Sequence, residues 1–219
     1  MRTAADRRAV IVMAKRPAPG ATKTRMTPAL SAEQAAELYE RLLLDTLDRL
    51  SRRTDCTAIV ARDHPSSAEY FSTIASELDQ LDQVGDRLGV RLDSVLTAAL
   101  AQGFDAVFAM SSDSPDLPIA HLDDAFAALD RDDVDVVLGP TEDGGYYLIG
   151  WKQRWAPIVT SVEMSTPQVL DDTLAAAHRV GAAVHLAPTW YDIDTIDDLD
   201  KLRTAGEAAP RSAAFVATL

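Results

Sequence analysis

With 219 residues, 47 % of them apolar and 25 % charged, the chain has the length and balance of one large α/β domain or two small ones. A formal net charge of −13 repels DNA and RNA, which excludes a nucleic-acid polymer as partner but not a small phosphorylated ligand. The single cysteine, Cys56, excludes a disulfide framework or a cysteine-rich zinc site and reads as a small core residue.

The charged start, residues 1–8, leads into too short an apolar run for a signal peptide. No run approaches the ~20 apolar residues of a membrane span, so the expectation is a cytoplasmic protein without a membrane partner. Residues 10–14 are a β-branched run bounded by charges, which predicts a buried strand. A Pro- and Gly-punctuated loop follows over 16–28. Ser31 opens a helix to about residue 52: Gln34 completes a capping box, and Leu38, Leu42, Leu43, Leu47 and Leu50 recur at helical spacing.

Residues 57–61 predict the next strand, 65–78 a helix, and 81–84 a weak strand before a Gly-bounded turn. A helix over 92–101 ends at Gly103, and 106–110 is a continuous apolar strand. A helix over 119–129 and strands over 134–138 and 146–149 follow. Thr166 and Pro167 have the chemistry of an N-cap and first helical residue, which predicts a helix over 167–180. A strand over 183–186 and a Thr195-capped helix to about residue 205 complete the pattern. The Ala-rich stretch 208–219 is expected to be a poorly ordered tail, leaving 1–207 as one domain. Strands alternating with helices at this spacing predict an α/β fold, a mostly parallel sheet with helices on both faces.

Ligands of such sheets bind beyond the carboxyl ends of the strands, so the segment after each strand carries the functional information. After the first strand, Lys15, Arg16, Lys23 and Arg25 place four cations in eleven residues of an acidic chain. A basic loop with a glycine, Gly20, suits phosphate oxygens better than a merely solvated charge cluster does. It is neither a P-loop, since Thr22 rather than Gly precedes Lys23, nor a G-x-G-x-x-G fingerprint.

The strand over 106–110 drops into Ser111-Ser112-Asp113-Ser114-Pro115-Asp116. Carboxylates at a strand end suggest a hard counter-cation, Mg²⁺ or Mn²⁺, although an Asp-capped turn explains the residues equally well. A second acidic cluster, Asp192-Ile193-Asp194, follows the last strand and would pair with Asp113 as a split two-carboxylate metal site. The four histidines have no zinc-like spacing, and no G-x-S-x-G elbow is present. Tyr146 and Tyr147 alternate along a strand, so one is expected inside and the other on the cleft.

Four motifs occur in order: K-x-P-x-x-G-x-x-K-T-R from Lys15, S-D-S-P-D-L-P from Ser112, G-P-x-x-D-G-G-Y-Y-L-I-G from Gly139, and D-I-D-T-x-x-D-L from Asp192. Together they resemble a bacterial family of uncharacterised glycosyltransferase-A-like (GT-A) proteins, some of them named arsenosugar-biosynthesis glycosyltransferases. More distantly the chain is similar to molybdenum cofactor guanylyltransferase, CMP-KDO synthetase and 2-phospholactate guanylyltransferase.

The resemblance implies a single-domain GT-A, or nucleotide-diphospho-sugar transferase, fold. It implies metal ligation by Asp113 and Asp194, with Mg²⁺ or Mn²⁺ as cofactor. Nucleotide contacts are implied for Lys15, Gly20, Lys23, Thr24, Arg25 and Asp86, and an acceptor loop at Gly144, Gly145 and Tyr146. Asp113, Lys23, Arg25 and Asp143 are the catalytic candidates. The chain departs from the family where a Trp-Ser-Thr signature reads Met164-Ser165-Thr166, and where Arg87 and Arg91 flank Gly89 without the expected Glu.

The expected partners are a nucleotide or nucleotide sugar and a small-molecule acceptor. The expected reaction is glycosyl transfer from a nucleotide sugar. The alternative is nucleotidyl transfer from a nucleoside triphosphate with release of pyrophosphate, and the third is an inactive nucleotide-binding or interaction domain.

Overall fold

The computed structural model describes residues 7–27 and 29–219. Residues 1–6 and Pro28, the last residue of the expected Pro- and Gly-punctuated loop, lie outside the described residues. Among the described residues seven strands, β1 (Arg8–Ala14), β2 (Thr57–Arg62), β3 (Asp79–Asp82), β4 (Ala106–Ser111), β5 (Val136–Pro140), β6 (Tyr146–Trp151) and β7 (Val184–Leu186), form one sheet. The order is β3-β2-β1-β4-β6-β5-β7. Only β6 runs antiparallel to its neighbours β4 and β5, so the mostly parallel sheet expected from the sequence is present.

Among the described residues eight α-helices lie between or after the strands: α1 (Ala32–Ser51), α2 (Ala68–Ile74), α3 (Leu88–Ala101), α4 (Ile119–Leu129), α5 (Ala156–Thr160), α6 (Val169–Arg179), α7 (Leu199–Ala205) and α8 (Pro210–Val216). Alternation along the strands divides the core between the two sheet faces. Val10, Val12, Val60 and Phe108 pack with Leu43 and Leu47 of α1 and Phe126 of α4. Ile11, Ile59, Val107 and Ala109 pack with Leu92, Val95 and Leu96 of α3 and with Ile158 of α5. The capping box of α1 forms as its sequence predicts, with Ser31 Oγ accepting from Gln34 N at 3.1 Å and Gln34 Oε1 accepting from Ser31 N at 2.9 Å.

Two expectations are overturned. Residues 210–216 are not a loose tail but α8, docked beside α7 on α1. The reason is Asp45 of α1, whose side chain is 0 % exposed. Its carboxylate accepts from Ser212 N and Ser212 Oγ, each at 2.8 Å, and caps the start of α8 from outside the helix. Thr166, in turn, is not an N-cap. Ser165 takes a positive φ of 64°, α6 starts only at Val169 with Gln168 before it, and Thr166 Oγ1 is buried without a partner.

Candidate active site

The carboxyl ends of β1 and β4 open onto a cleft of about 720 Å³. Lys15, Lys23, Thr24, Arg25, Asp113, Asp143, Gly145, Tyr146 and Asp194 line it, all of them singled out by sequence. Gly20, Asp86 and Gly144 do not. Gly20 stands with φ +76° in open space. The Asp86 side chain is 87 % exposed, and the one ion pair it makes is with the adjacent Arg87 at 4.0 Å. Gly144 lies behind the cleft wall, where a Cβ would come within 2.0 Å of the Pro167 carbonyl oxygen.

The two acidic segments, about 80 residues apart in sequence, are joined by the backbone. Ile193 N donates to Asp113 O at 2.9 Å, and Ser114 Oγ donates to Asp192 Oδ1 at 2.5 Å. After β7 the chain follows β5, with Trp190 N donating to Pro140 O at 3.0 Å, and then crosses to the end of β4. Topology thus brings together carboxylates that local sequence could only place at separate strand ends.

Between them sits Lys23. Its Nζ is 2.7 Å from Asp113 Oδ1 and 2.8 Å from Asp194 Oδ1, and its side chain is 5 % exposed. Burial by itself would lower the ammonium pKa, but the charges of Asp113 and Asp194 outweigh it and hold the group well above the ordinary lysine range. The residue pays in backbone energy: φ 48° and ψ 39° are left-handed, a conformation costing a non-glycine residue roughly 1–2 kcal/mol. Arg25 Nη1 reaches Asp194 Oδ2 at 3.2 Å but leaves its side chain 65 % exposed.

The neighbouring carboxylates are engaged differently. Burial and the Asp113 charge push the Asp192 carboxyl up to about 7. Asp116 is a structural carboxylate, accepting from Trp190 Nε1 at 3.4 Å and from Tyr191 Oη. Asp143 Oδ1 holds its own turn, accepting from Thr141 Oγ1 at 2.6 Å and from Gly145 N at 3.1 Å. Tyr147 is the inward tyrosine, 1 % exposed and donating to Pro188 O. Both tyrosines border the cleft rather than one alone; Tyr146 Oη lies 3.5 Å from Met164 Sδ, so the methionine that replaces the expected tryptophan still packs on the cleft wall.

Sequence reasoning missed Tyr39 and Gln83. Tyr39 lies on the buried stripe of α1, a core position by periodicity, yet its Oη accepts from Lys15 N at 3.0 Å and meets Ser112 Oγ at 3.1 Å. Burial, with the Asp113 charge behind it, pushes this phenol up to about 12. Gln83 Nε2 donates to Ala14 O at 3.1 Å and Ala61 O at 2.8 Å, fastening the cleft floor to the ends of β1 and β2. No local motif marks either residue.

Residues 46–166 match the family described as "Uncharacterized protein conserved in bacteria" (DUF2064). The chain belongs to this family. A 2-phospho-L-lactate guanylyltransferase of Methanothermobacter thermautotrophicus is 26 % identical over 191 residues, 84 % of this chain and 80 % of that protein. A crystal structure from Desulfovibrio desulfuricans, provisionally named a nucleotide-diphospho-sugar transferase, superposes with a TM-score of 0.88 at 26 % identity, covering 97 % of this chain and 95 % of that one. CMP:2-keto-3-deoxy-manno-octonic acid synthetase complexed with CTP shares the fold alone, with a TM-score of 0.57 and 13 % identity over 90 % of this chain and 97 % of that one.

This DUF2064 member is thus a nucleotide-diphospho-sugar transferase-like protein with the GT-A-like fold expected from its motifs, and a transferase of the nucleotidyl or glycosyl kind. Among its described residues no helix is long and apolar enough to cross a membrane.

Whether Mg²⁺ or Mn²⁺ fits this cleft is tested by the donors present. Among the described residues no three His, Cys, Asp or Glu side chains converge as a ready cage. Two hard carboxylate oxygens do face one point, now held by the Lys23 ammonium. Asp113 Oδ1 is buried there, close to the ammonium but without a well-directed hydrogen bond. One or two carboxylates completed by substrate phosphates is the usual Mg²⁺ arrangement, so the donor set fits.

Proposed function

We propose that this chain transfers a nucleotidyl group from a nucleoside triphosphate to a small phosphorylated acceptor and releases pyrophosphate, with Mg²⁺ or Mn²⁺ held by Asp113 and Asp194. The observation that carries this is the convergence of Lys15, Lys23 and Arg25 with Asp113 and Asp194 on one cleft. A triphosphate needs more neutralisation than the diphosphate of a nucleotide sugar, which three cations lining one cleft favour.

Guanylyl transfer to 2-phospho-L-lactate by the Methanothermobacter relative supports GTP as donor and a phosphorylated hydroxy acid as acceptor class. Glycosyl transfer remains the second reading, favoured by the name of the Desulfovibrio neighbour.

In the proposed reaction a phosphate oxygen of the acceptor attacks the α-phosphorus. The bond from that phosphorus to the bridging oxygen breaks, and the electron pair leaves with pyrophosphate. Lys23 and Arg25 hold the outer phosphates in line and offset charge gathering on the leaving group. Lys15 extends the same wall. Gly145 and Tyr146 bound the acceptor side, with Asp143 keeping that turn in shape. A bound metal would draw charge from the phosphate oxygens.

The test is pyrophosphate release from GTP, CTP, ATP and UTP with a panel of phosphorylated hydroxy acids. Release from one triphosphate, lost in Asp113→Asn, is expected. Consumption of a nucleotide sugar with release of nucleoside diphosphate, and no pyrophosphate from any triphosphate, would overturn the proposal in favour of glycosyl transfer.

A further inference from the structure

We propose that Lys23 holds the divalent cation's seat in the free protein and surrenders it only to incoming phosphates, so that metal and nucleotide arrive together. This rests on the metal-dependent reading of the cleft given above and adds an order of events to it.

Geometry carries the inference. The Lys23 ammonium lies within 2.8 Å of one oxygen from each of the two carboxylates that would hold the metal. With its side chain 5 % exposed, it has left water to be there. Asp113 Oδ1, buried and without a well-directed hydrogen bond, is held chiefly by that charge.

A dication placed against the same oxygens would stand beside an ammonium at a distance of a few ångströms, where like charges repel strongly in a partly buried setting. Ammonium and metal therefore exclude one another. The exchange has somewhere to go. Thr24, Arg25 and Lys15 line the same cleft, and phosphates bound there would give Lys23 a new anionic partner as its old ones turn to the metal.

Binding of Mn²⁺ alone, followed by electron paramagnetic resonance of the free ion, tests this in wild type, Lys23→Gly and Arg25→Ala. Glycine suits the left-handed backbone, so Lys23→Gly removes the ammonium while easing the main chain. Should Lys23→Gly fail to fold, Lys23→Asn, neutral and tolerant of the same conformation, takes its place.

The expected result is Mn²⁺ affinity at least about tenfold higher in Lys23→Gly than in wild type. Arg25→Ala, which removes an exposed and screened charge, should change it less than about threefold. Thermal melts give a second readout. Mn²⁺ alone should raise the melting temperature of Lys23→Gly, whereas wild type should respond only to Mn²⁺ with GTP. Equal Mn²⁺ affinity in wild type and Lys23→Gly would overturn the lysine's role and leave the metal site standing. No Mn²⁺ binding by either protein, with or without GTP, would overturn the metal reading and the inference with it.

Discussion

Asp45 and Asp113 are both aspartates with buried oxygens, one on α1 and the other after β4, and they are satisfied in opposite ways. Asp45, with a side chain 0 % exposed, meets two donors from Ser212 and two from Arg211. Its hydrogen bonds come from the first turn of α8, and they close that helix onto α1. Asp113, 30 % exposed, faces one lysine ammonium and an open cleft.

The difference teaches how to tell a structural carboxylate from a working one when both are aspartates with a buried oxygen. The structural group has spent its lone pairs on the fold. The working group is held by charge and keeps an oxygen available. Asp116, three residues past Asp113 in the same motif, falls on the structural side through Trp190 and Tyr191.

The sharpest way to break this contrast is Asp45→Ala. Removing one member of a buried, hydrogen-bonded charge network costs about 3–5 kcal/mol, so urea unfolding should show a loss of that size. If the C-terminal helix stays docked and stability is unchanged, Asp45 is not the clasp described.

Asp113→Asn should behave in reverse. Transfer activity, read as kcat, should fall by about 10²–10³-fold, the usual penalty for removing a charge stabiliser at a reacting phosphate. Unfolding free energy should fall by less than in Asp45→Ala, since Asp194 still pairs with the buried Lys23 ammonium. A large stability loss with activity retained would move Asp113 to the structural class.

Asp116→Ala sharpens the comparison inside a single motif. Loss of the Trp190 and Tyr191 hydrogen bonds should cost about 1–3 kcal/mol in chemical denaturation. Metal and nucleotide titrations should give wild-type affinities once the variant is folded.

The smallest effect is expected at His121, which packs edge-on against Trp190 at 5.3 Å with a buried, unpartnered Nδ1. Burial lowers its pKa from the ordinary 6.5. A depressed histidine contributes stability that is present above the unfolded value and lost as pH falls through the folded one. Stability should therefore decline below about pH 6.5, and the decline should be shallower in His121→Gln. An identical pH profile in the variant would show that His121 has no part in it.

Much of the fold was legible because periodicity is local. Val10, Val12, Phe108 and their alternating neighbours announce strands buried on both faces, and Ser31 with Gln34 marks the start of α1. The cations of the first loop and the carboxylates of both acidic turns were legible for the same reason, as clusters at predicted strand ends. Thr166 misled because its capping chemistry is sound, but a positive φ at Ser165 delays the helix. Tyr39 was invisible because a helix-face tyrosine looks the same whether its hydroxyl meets the core or the cleft.

Composition and pattern alone therefore determined the αβ alternation, the mostly parallel sheet and the list of charged residues available at its carboxyl edge, since each depends on side chains within a few positions of one another. Tertiary structure alone decided that Asp113 and Asp194 share one lysine, that Asp116 is withdrawn from the site, and that Asp45 orders the last helix. Each of these is a pairing across roughly 70 to 170 residues, set by where the crossovers return the chain. A charge's partner is fixed by distance in space, which local sequence does not encode.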